Sequence, residues 1–235
     1  MPPTIPTELR QHSPLAGPST TKLQLTYPTP TNPHPSTNPP LLTDALRVRH
    51  AVFVTEQGCD PANEIDADDA RSWHWVLYAS GDDREPHRTT PIGVIRLVPP
   101  PHAPHEVHDA QPAASSASPA YDLAHEPYIR LTRVAVLPEY RGRGFARRLV
   151  DAALEWAAQH PDEIDAAYAR VVREQTPDAT PEGPRRWTGL ALVHAQVPVE
   201  DMYRKLGFVR DDALGRWYEE GIEHVGMWRR VPVRS

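Results

Sequence analysis

The residues best placed to do chemistry lie between Ile129 and Trp156, in IRLTRVAVLPEYRGRGFARRLVDAALEW. There Arg141-Gly142-Arg143-Gly144-Phe145-Ala146 joins an apolar run to an amphipathic one. A helix that begins at such a turn leaves about four backbone N–H groups unpaired and carries roughly half a positive charge at that end, so it attracts anions. A side chain at Gly142 or Gly144 would hold an anion away from those amides, and glycine lets the backbone come close. Arg141, Arg143, Arg147 and Arg148 gather cationic charge around the same turn, which favours a polyanion such as a pyrophosphate. Two phosphate loops are excluded by reading. No lysine follows the glycines as GxxxxGK[ST] requires, and Arg147 stands where the third small residue of GxGxxG belongs.

Two other stretches carry reactive side chains. Residues 58–69, GCDPANEIDADD, are acidic and turn-rich, and composition alone favours a solvated loop over a site. Residues 99–127 hold His102, His105, Glu106, His108 and His125 among prolines, with no regular pattern that would hold a ligand set rigid. They read as a loop, and no metal site is expected. Cys59 is the single cysteine, so neither an internal disulfide nor a cysteine-based zinc site can form.

The elements that must position this chemistry follow from periodicity. Ile129, Leu131, Val134, Val136 and Leu137 predict a strand stopped by Pro138, and Leu149, Val150, Ala153, Leu154 and Ala157 recur at helical spacing after the turn. Lys22–Tyr27 alternates and predicts a first strand, and Thr43-Asp44 offers a cap for a helix running toward Gln57. Residues 72–78 and 91–98 predict a strand pair around a polar loop at 81–90. A helix is expected over 162–173, a buried-type strand over 189–196, a helix over 199–206 stopped by Gly207, and a closing hairpin turning at Glu220-Gly221. Strands alternating with helices and ending in a hairpin indicate a mixed α/β sheet. Residues 1–20 read as a flexible Pro-rich tail. Residues 21–235 read as a single domain with Pro-rich insertions near 28–40, 99–127 and 174–188.

Arg141 to Ala146 also reads RxxGxA between strand and helix, and in this the sequence resembles the GNAT superfamily of acetyl-CoA-dependent N-acyltransferases. The segment from Gln196 to Tyr203-Arg204-Lys205-Leu206-Gly207-Phe208 occupies that family's NxxAxxxYxxxGF frame, with Gln196 and Val199 departing from it. Residues 52–69 (VFVTEQGCDPANEIDADD), His194-Ala195-Gln196 and residues 218–227 (YEEGIEHVGM) look like the ElaA-like branch. The likeness spans roughly residues 42 to 230. It implies a mostly antiparallel central sheet flanked by helices and acetyl-CoA or CoA as cofactor, with Val134, Ala135 and Val136 along the pantetheine arm. Arg141, Gly142, Arg143, Gly144, Phe145, Ala146 and Arg147 would lie around the pyrophosphate, and Gln196 beside the cofactor.

Acyl transfer to an amine needs a neutral amine, a polarised carbonyl and a proton for the leaving thiolate. The resemblance makes Tyr203 the general acid. A phenol titrates near ~10 and holds its proton at neutral pH. The carboxylate that many family members carry on the strand before the loop is missing from Ile129–Val136, which leaves Glu64, Asp66, His74 and His224 as candidates for the base. Histidine suits the task because its reference pKa of ~6.5 leaves it mostly neutral. The acidic segment becomes a wall of the acceptor pocket, with Asp66, Arg96 and His194 on the substrate side.

Net charge is −6, which argues against nucleic acid as a partner. Prolines number 28, and 11 of them fall in the first 40 positions, which points to a folded domain with extensions rather than to a larger core. No apolar run approaches ~20 residues, so no membrane association is expected. The expected protein is cytoplasmic, with a nuclear pool also open, monomeric or homodimeric, and acts on a small-molecule or peptide amine. A non-catalytic CoA-binding module is the alternative.

Overall fold

In the computed structural model, residues 5–15, 25–81, 89–104, 121–175 and 185–234 are described. They form a mixed α/β chain of eight strands, mostly antiparallel and flanked by helices. Contacts divide it into two compact units, Met1–Val98 with Leu131–Ala153 and Pro99–Arg130 with Leu154–Ser235.

The first unit holds β1 (Thr7–His12), α1 (Pro40–Arg49), β2 (Trp73–Ser80), β3 (Thr89–Val98) and most of β4 (Ile129–Val136), with the strands in the order β1-β2-β3-β4. Along β2 every residue but Ser80 is buried, and β3 is buried from Ile92 onward, so both faces of the central strands are covered. Such strands read as continuous apolar runs. Ala45, Val48 and Val52 lie three to four residues apart on one helical stripe and pack with Val76, Tyr78, Val94 and Ala135. Gly93 of β3 allows a close approach, since a Cβ there would stand 3.1 Å from Leu149 Cδ1 and 3.2 Å from the Ala135 carbonyl oxygen.

Three expectations are corrected here. Thr7–His12, read as flexible tail, is a strand paired antiparallel with β2 from Thr7 opposite Ala79 to His12 opposite His74. The predicted strand at 22–27 is absent over residues 25–27, while 22–24 lie outside the described residues. Asn38 takes the place of a neighbouring strand, accepting from Thr26 N at 2.8 Å and donating to Thr26 O at 2.7 Å. Helix α1 begins at Pro40, before the expected cap, because proline at the first helical position already has helical φ. Asp44 instead accepts from the Tyr78 hydroxyl at 2.8 Å. The helix then loosens into a π-helical segment, His50–Glu56, which carries the chain toward Gln57 as expected.

The second unit holds α3 (Pro161–Gln175), β5 (Leu190–Gln196), α4 (Glu200–Lys205), β6 (Val209–Arg210), β7 (Arg216–Glu219) and β8 (Ile222–Arg230). Strand β8 pairs antiparallel with β5, β6 and β7. Helix α4 ends as expected at Gly207, with φ +81° and a hydrogen bond from Phe208 N back to Tyr203 O. Glu220 and Gly221 have φ of +53° and +78°, the two-residue turn of a tight hairpin. Helix α2 (Phe145–Gln159) starts in the first unit and continues into the second. The tip of the 81–90 loop, most of the insertion at 99–127 and residues 176–184 lie outside the described residues.

Candidate active site

The turn that opens α2 has the geometry its glycines require. Gly142 and Gly144 have φ of +73° and +80°, and a Cβ built on either would meet nothing within 4 Å, so the space over the turn is open. Arg148 N donates to Gly144 O at 3.0 Å, the first bond of the helix. The amides of Phe145, Ala146 and Arg147 precede that bond and therefore have no acceptor within the helix. An anion at this turn would meet these backbone amides first. The side chain of Arg141 is occupied elsewhere, its Nε donating to Val136 O at 2.9 Å and its two Nη atoms to the Glu56 carboxylate at 2.6 Å each. It braces the turn against the end of β4 and the π-helical segment. Glu56, a residue that motif reading did not single out, is held below the usual carboxylate range chiefly by this hydrogen bond. Arg147 pairs with Asp151 one turn on, and Arg148 donates to the Thr7 hydroxyl.

Strand β4 leads into the turn with an interruption. Arg133 has φ +54°, in the left-handed region that a non-glycine residue seldom occupies within a strand. Burial changes phase there. Thr132, Arg133 and Val134 are half-buried in succession, and Ala135 and Val136 are both buried. A residue of this kind breaks the regular alternation of the strand at that point.

Glu64, Asp66, His74 and Arg96 are brought together, but with one another and with arginine. Arg49 Nε donates to Glu64 at 3.0 Å and its Nη1 to Asp69 at 2.7 Å. Arg96 is bidentate to Asp66, reaches Asp69 at 2.9 Å and donates through Nε to Thr132 Oγ1 at 2.8 Å. Arg133 adds bonds to Asp66 at 3.2 Å and to the Asn63 carbonyl at 3.0 Å. Three arginines thus face three carboxylates. Burial alone would raise Asp69, but Arg96 and Arg49 outweigh it and hold its carboxyl well below the usual range. His74 is fully buried. Its Nε2–H donates to the Asp69 carbonyl at 2.9 Å, and burial lowers its pKa to about 4 against the opposing pull of Asp69. The Arg49, Glu64, Asp69, His74 and Arg96 part of this network is buried while Asp66 and Arg133 stay partly exposed, and neither the Glu64 carboxylate nor the His74 ring opens onto free surface.

In the second unit, Tyr203 is buried with its ring edge-on to Phe208, centroids 5.5 Å apart, and burial pushes its phenol well above its ordinary value. His194 and His224 belong to one cluster with two residues that motif reading passed over, Trp217 and Glu219. Glu219 Oε1 accepts from His194 Nδ1 at 3.0 Å and from Trp217 Nε1 at 2.7 Å. The Trp217 ring meets His194 edge-on at 4.9 Å and lies near-parallel to His224 at 6.3 Å. Burial works to raise Glu219, but the bond and charge of His194, the Trp217 N–H and nearby His224 together hold it far below the usual range. His224 Nδ1 faces the Ile222 carbonyl at 2.8 Å, and a carbonyl only accepts, so the proton of the neutral ring sits on Nδ1 and Nε2 carries the lone pair. Gln196, half-buried, lies opposite His224 across the β5–β8 ladder. The one signal for Glu219 in the sequence was its place in YEEGIEH beside the hairpin turn.

His102 and His125 do not assemble. His102 donates to the Tyr128 carbonyl and stacks on that ring at 4.5 Å, while His125 pairs with Asp122. His105, Glu106 and His108 lie outside the described residues. Among the described residues no group of three metal-ligating side chains forms, and no helix is long and apolar enough to cross a membrane.

Residues 43–179, more than half of the sequence, match the acetyltransferase (GNAT) family. The chain belongs to this family. Among solved structures, a Lactobacillus plantarum protein assigned to the N-acetyltransferases aligns at 21% identity and TM-score 0.50, covering 95% of this chain and 97% of the other. FeeM, an N-acyl amino acid synthase from uncultured soil microbes, aligns at 10% identity and TM-score 0.52, covering 97% and 93%. Escherichia coli ElaA aligns at 19% identity and TM-score 0.48, covering 95% and 99%. At these identities the likeness is one of fold.

Proposed function

We propose that the protein is an acetyl-CoA-dependent N-acetyltransferase that moves an acetyl group directly to a primary amine of a small molecule or peptide. The observation that carries this reading is the open turn at Gly142 and Gly144, whose following amides point at the start of α2 in a chain of the GNAT family. Those amides would hold the pyrophosphate, with Arg141 keeping the turn in shape. The positive φ of Arg133, just ahead of Val134–Val136, supports a role for that backbone as hydrogen-bonding partner of the pantetheine arm and of the acyl carbonyl. When bound, acetyl-CoA supplies the acetyl group as an activated thioester.

The remaining roles fall to side chains of this chain. Tyr203, the residue that the family resemblance makes the general acid, holds its proton at neutral pH and would give it to the leaving sulfur, burial making it a weaker acid than a free phenol. Of the four candidate bases, His224 is preferred, because its tautomer is set with the lone pair on Nε2. Glu64 and Asp66 already accept from arginine, and His74 is enclosed. His224 would take the proton that the amine loses as its nitrogen bonds to carbon. The test is CoA thiol release by purified protein given acetyl-CoA and a panel of amines. Thiol release above the hydrolysis background, lost in His224→Asn, is the expected result. Tight acetyl-CoA binding by calorimetry with no release across the panel would overturn the reading in favour of a CoA-binding module.

A further inference from the structure

We propose that Glu219 is the residue that receives the acceptor, binding it as an ammonium that gives one proton to water before its nitrogen attacks and a second to His224 as the C–N bond forms, so that the substrates are cationic alkylamines rather than neutral arylamines. This rests on the transferase reading above. The sequence placed amine recognition on the acidic segment, but both oxygens of Asp66 are filled by Arg96 and Arg133, and Glu64 is buried against Arg49. An ammonium arriving there would have to displace a guanidinium already held in bidentate fashion.

Glu219 is built differently. Among the described residues its hydrogen-bond partners are His194 and Trp217, both on Oε1, with no arginine or lysine. The carboxylate is therefore fixed in direction by one oxygen, and its side chain is still 37% exposed. It stands at the last position of β7, next to the rigid Glu220-Gly221 turn, in register with Ile222. Trp217, two residues back on the same strand, turns its ring edge to the carboxylate through Nε1–H, the ring itself being buried beside His194 and His224. An oriented anion with no cationic side chain of its own suits an alkylammonium, which gains a charge-assisted hydrogen bond. His194 is then a positioning residue for the carboxylate.

The experiment is steady-state kinetics of wild type and Glu219→Gln with an alkylamine and an arylamine of similar size, alongside calorimetry with acetyl-CoA and a thermal melt. Glutamine keeps an oxygen for His194 and Trp217 and removes the charge. The alkylamine KM is expected to rise about tenfold or more, with kcat changed much less and acetyl-CoA affinity unaltered. The preference for alkylamine over arylamine falls by the same factor, and Glu219→Asp recovers part of it. An unchanged alkylamine KM, or an equal loss for both amines, overturns the inference. Should wild type release no thiol with any amine, the transferase reading falls by itself. Calorimetry of the alkylamine against wild type and Glu219→Gln then decides the inference, equal affinities overturning it.

Discussion

Arg96 grips Asp66 with both ends of its guanidinium, Nη1 to Oδ1 at 2.6 Å and Nη2 to Oδ2 at 2.8 Å. The arginine is almost completely enclosed, and the same Nη1 also reaches Asp69. Removing one partner of a buried pair costs roughly 3–5 kcal/mol when the other charge is left alone. Asp66 and Asp69 keep Arg133 and Arg49, so Arg96→Met is expected to lower unfolding free energy toward the low end of that range, about 3 kcal/mol, in urea titration, with little change in m. A loss below ~1 kcal/mol would mean that Arg133 and Arg49 suffice for both carboxylates.

His74 makes stability fall on the acid side. Its pKa is about 4 in the folded chain against 6.5 as the reference, so below 6.5 the unfolded state binds the extra proton and folding weakens as pH drops toward 4. The window corresponds to about 3 kcal/mol. The lowered Asp69 carboxyl acts in the same direction, its contribution being lost as pH falls toward its own folded pKa. His74→Gln should flatten the dependence between pH 6.5 and 4, measured as urea midpoints at half-unit steps. An unchanged slope would assign the acid sensitivity to other groups.

Gly144 is tested through affinity. Glutamate there would set both bulk and negative charge over the amides of Phe145 to Arg147, and acetyl-CoA affinity by calorimetry is expected to fall at least about tenfold. Gly144→Ala adds no anion but must adopt φ near +80°, at about 1–2 kcal/mol, so it should cost stability while reducing affinity less. Undiminished affinity in Gly144→Glu would remove the turn from the cofactor site.

Tyr203→Phe tests proton donation. The ring packs edge-on to Phe208, so phenylalanine preserves the packing and deletes the hydroxyl alone. General-acid assistance contributes roughly 10²–10⁴-fold, and a fall in kcat of at least about 100-fold at neutral pH is expected, with acetyl-CoA KM moving little. Retained kcat would give the proton to water or to another group.

Where local signals and tertiary context agree, the sequence is readable. The turn before α2 is one such place, because glycines with positive φ join an apolar strand to a 3.6-residue stripe. Strands β2 and β3 are another, their buried lengths being apolar but for His74 and Arg96 since both faces are covered. Strand β1 was hidden because TELRQH has one apolar residue, Leu9, and its strand character comes from the ladder that β2 offers. Composition reads the acidic segment as a solvated loop and the resemblance reads it as a pocket wall, while its partners, Arg49, Arg96 and Arg133, come from three distant elements, and no local pattern announces an ion pair across 15 to 67 residues. Glu219 was obscured for the same reason, since its donor His194 lies 25 residues upstream.

The pairing of β1 with β2 bears on how the protein can be handled in the laboratory. Without Thr7–His12, the eight residues of β2 would present an open row of N–H and C=O groups along a strand of Trp, Val, Leu and Tyr. Such an edge recruits other chains. Shortening the chain through His12, which its proline-rich beginning invites, would therefore favour aggregation during expression, whereas an affinity tag placed ahead of Thr7 leaves that seam closed.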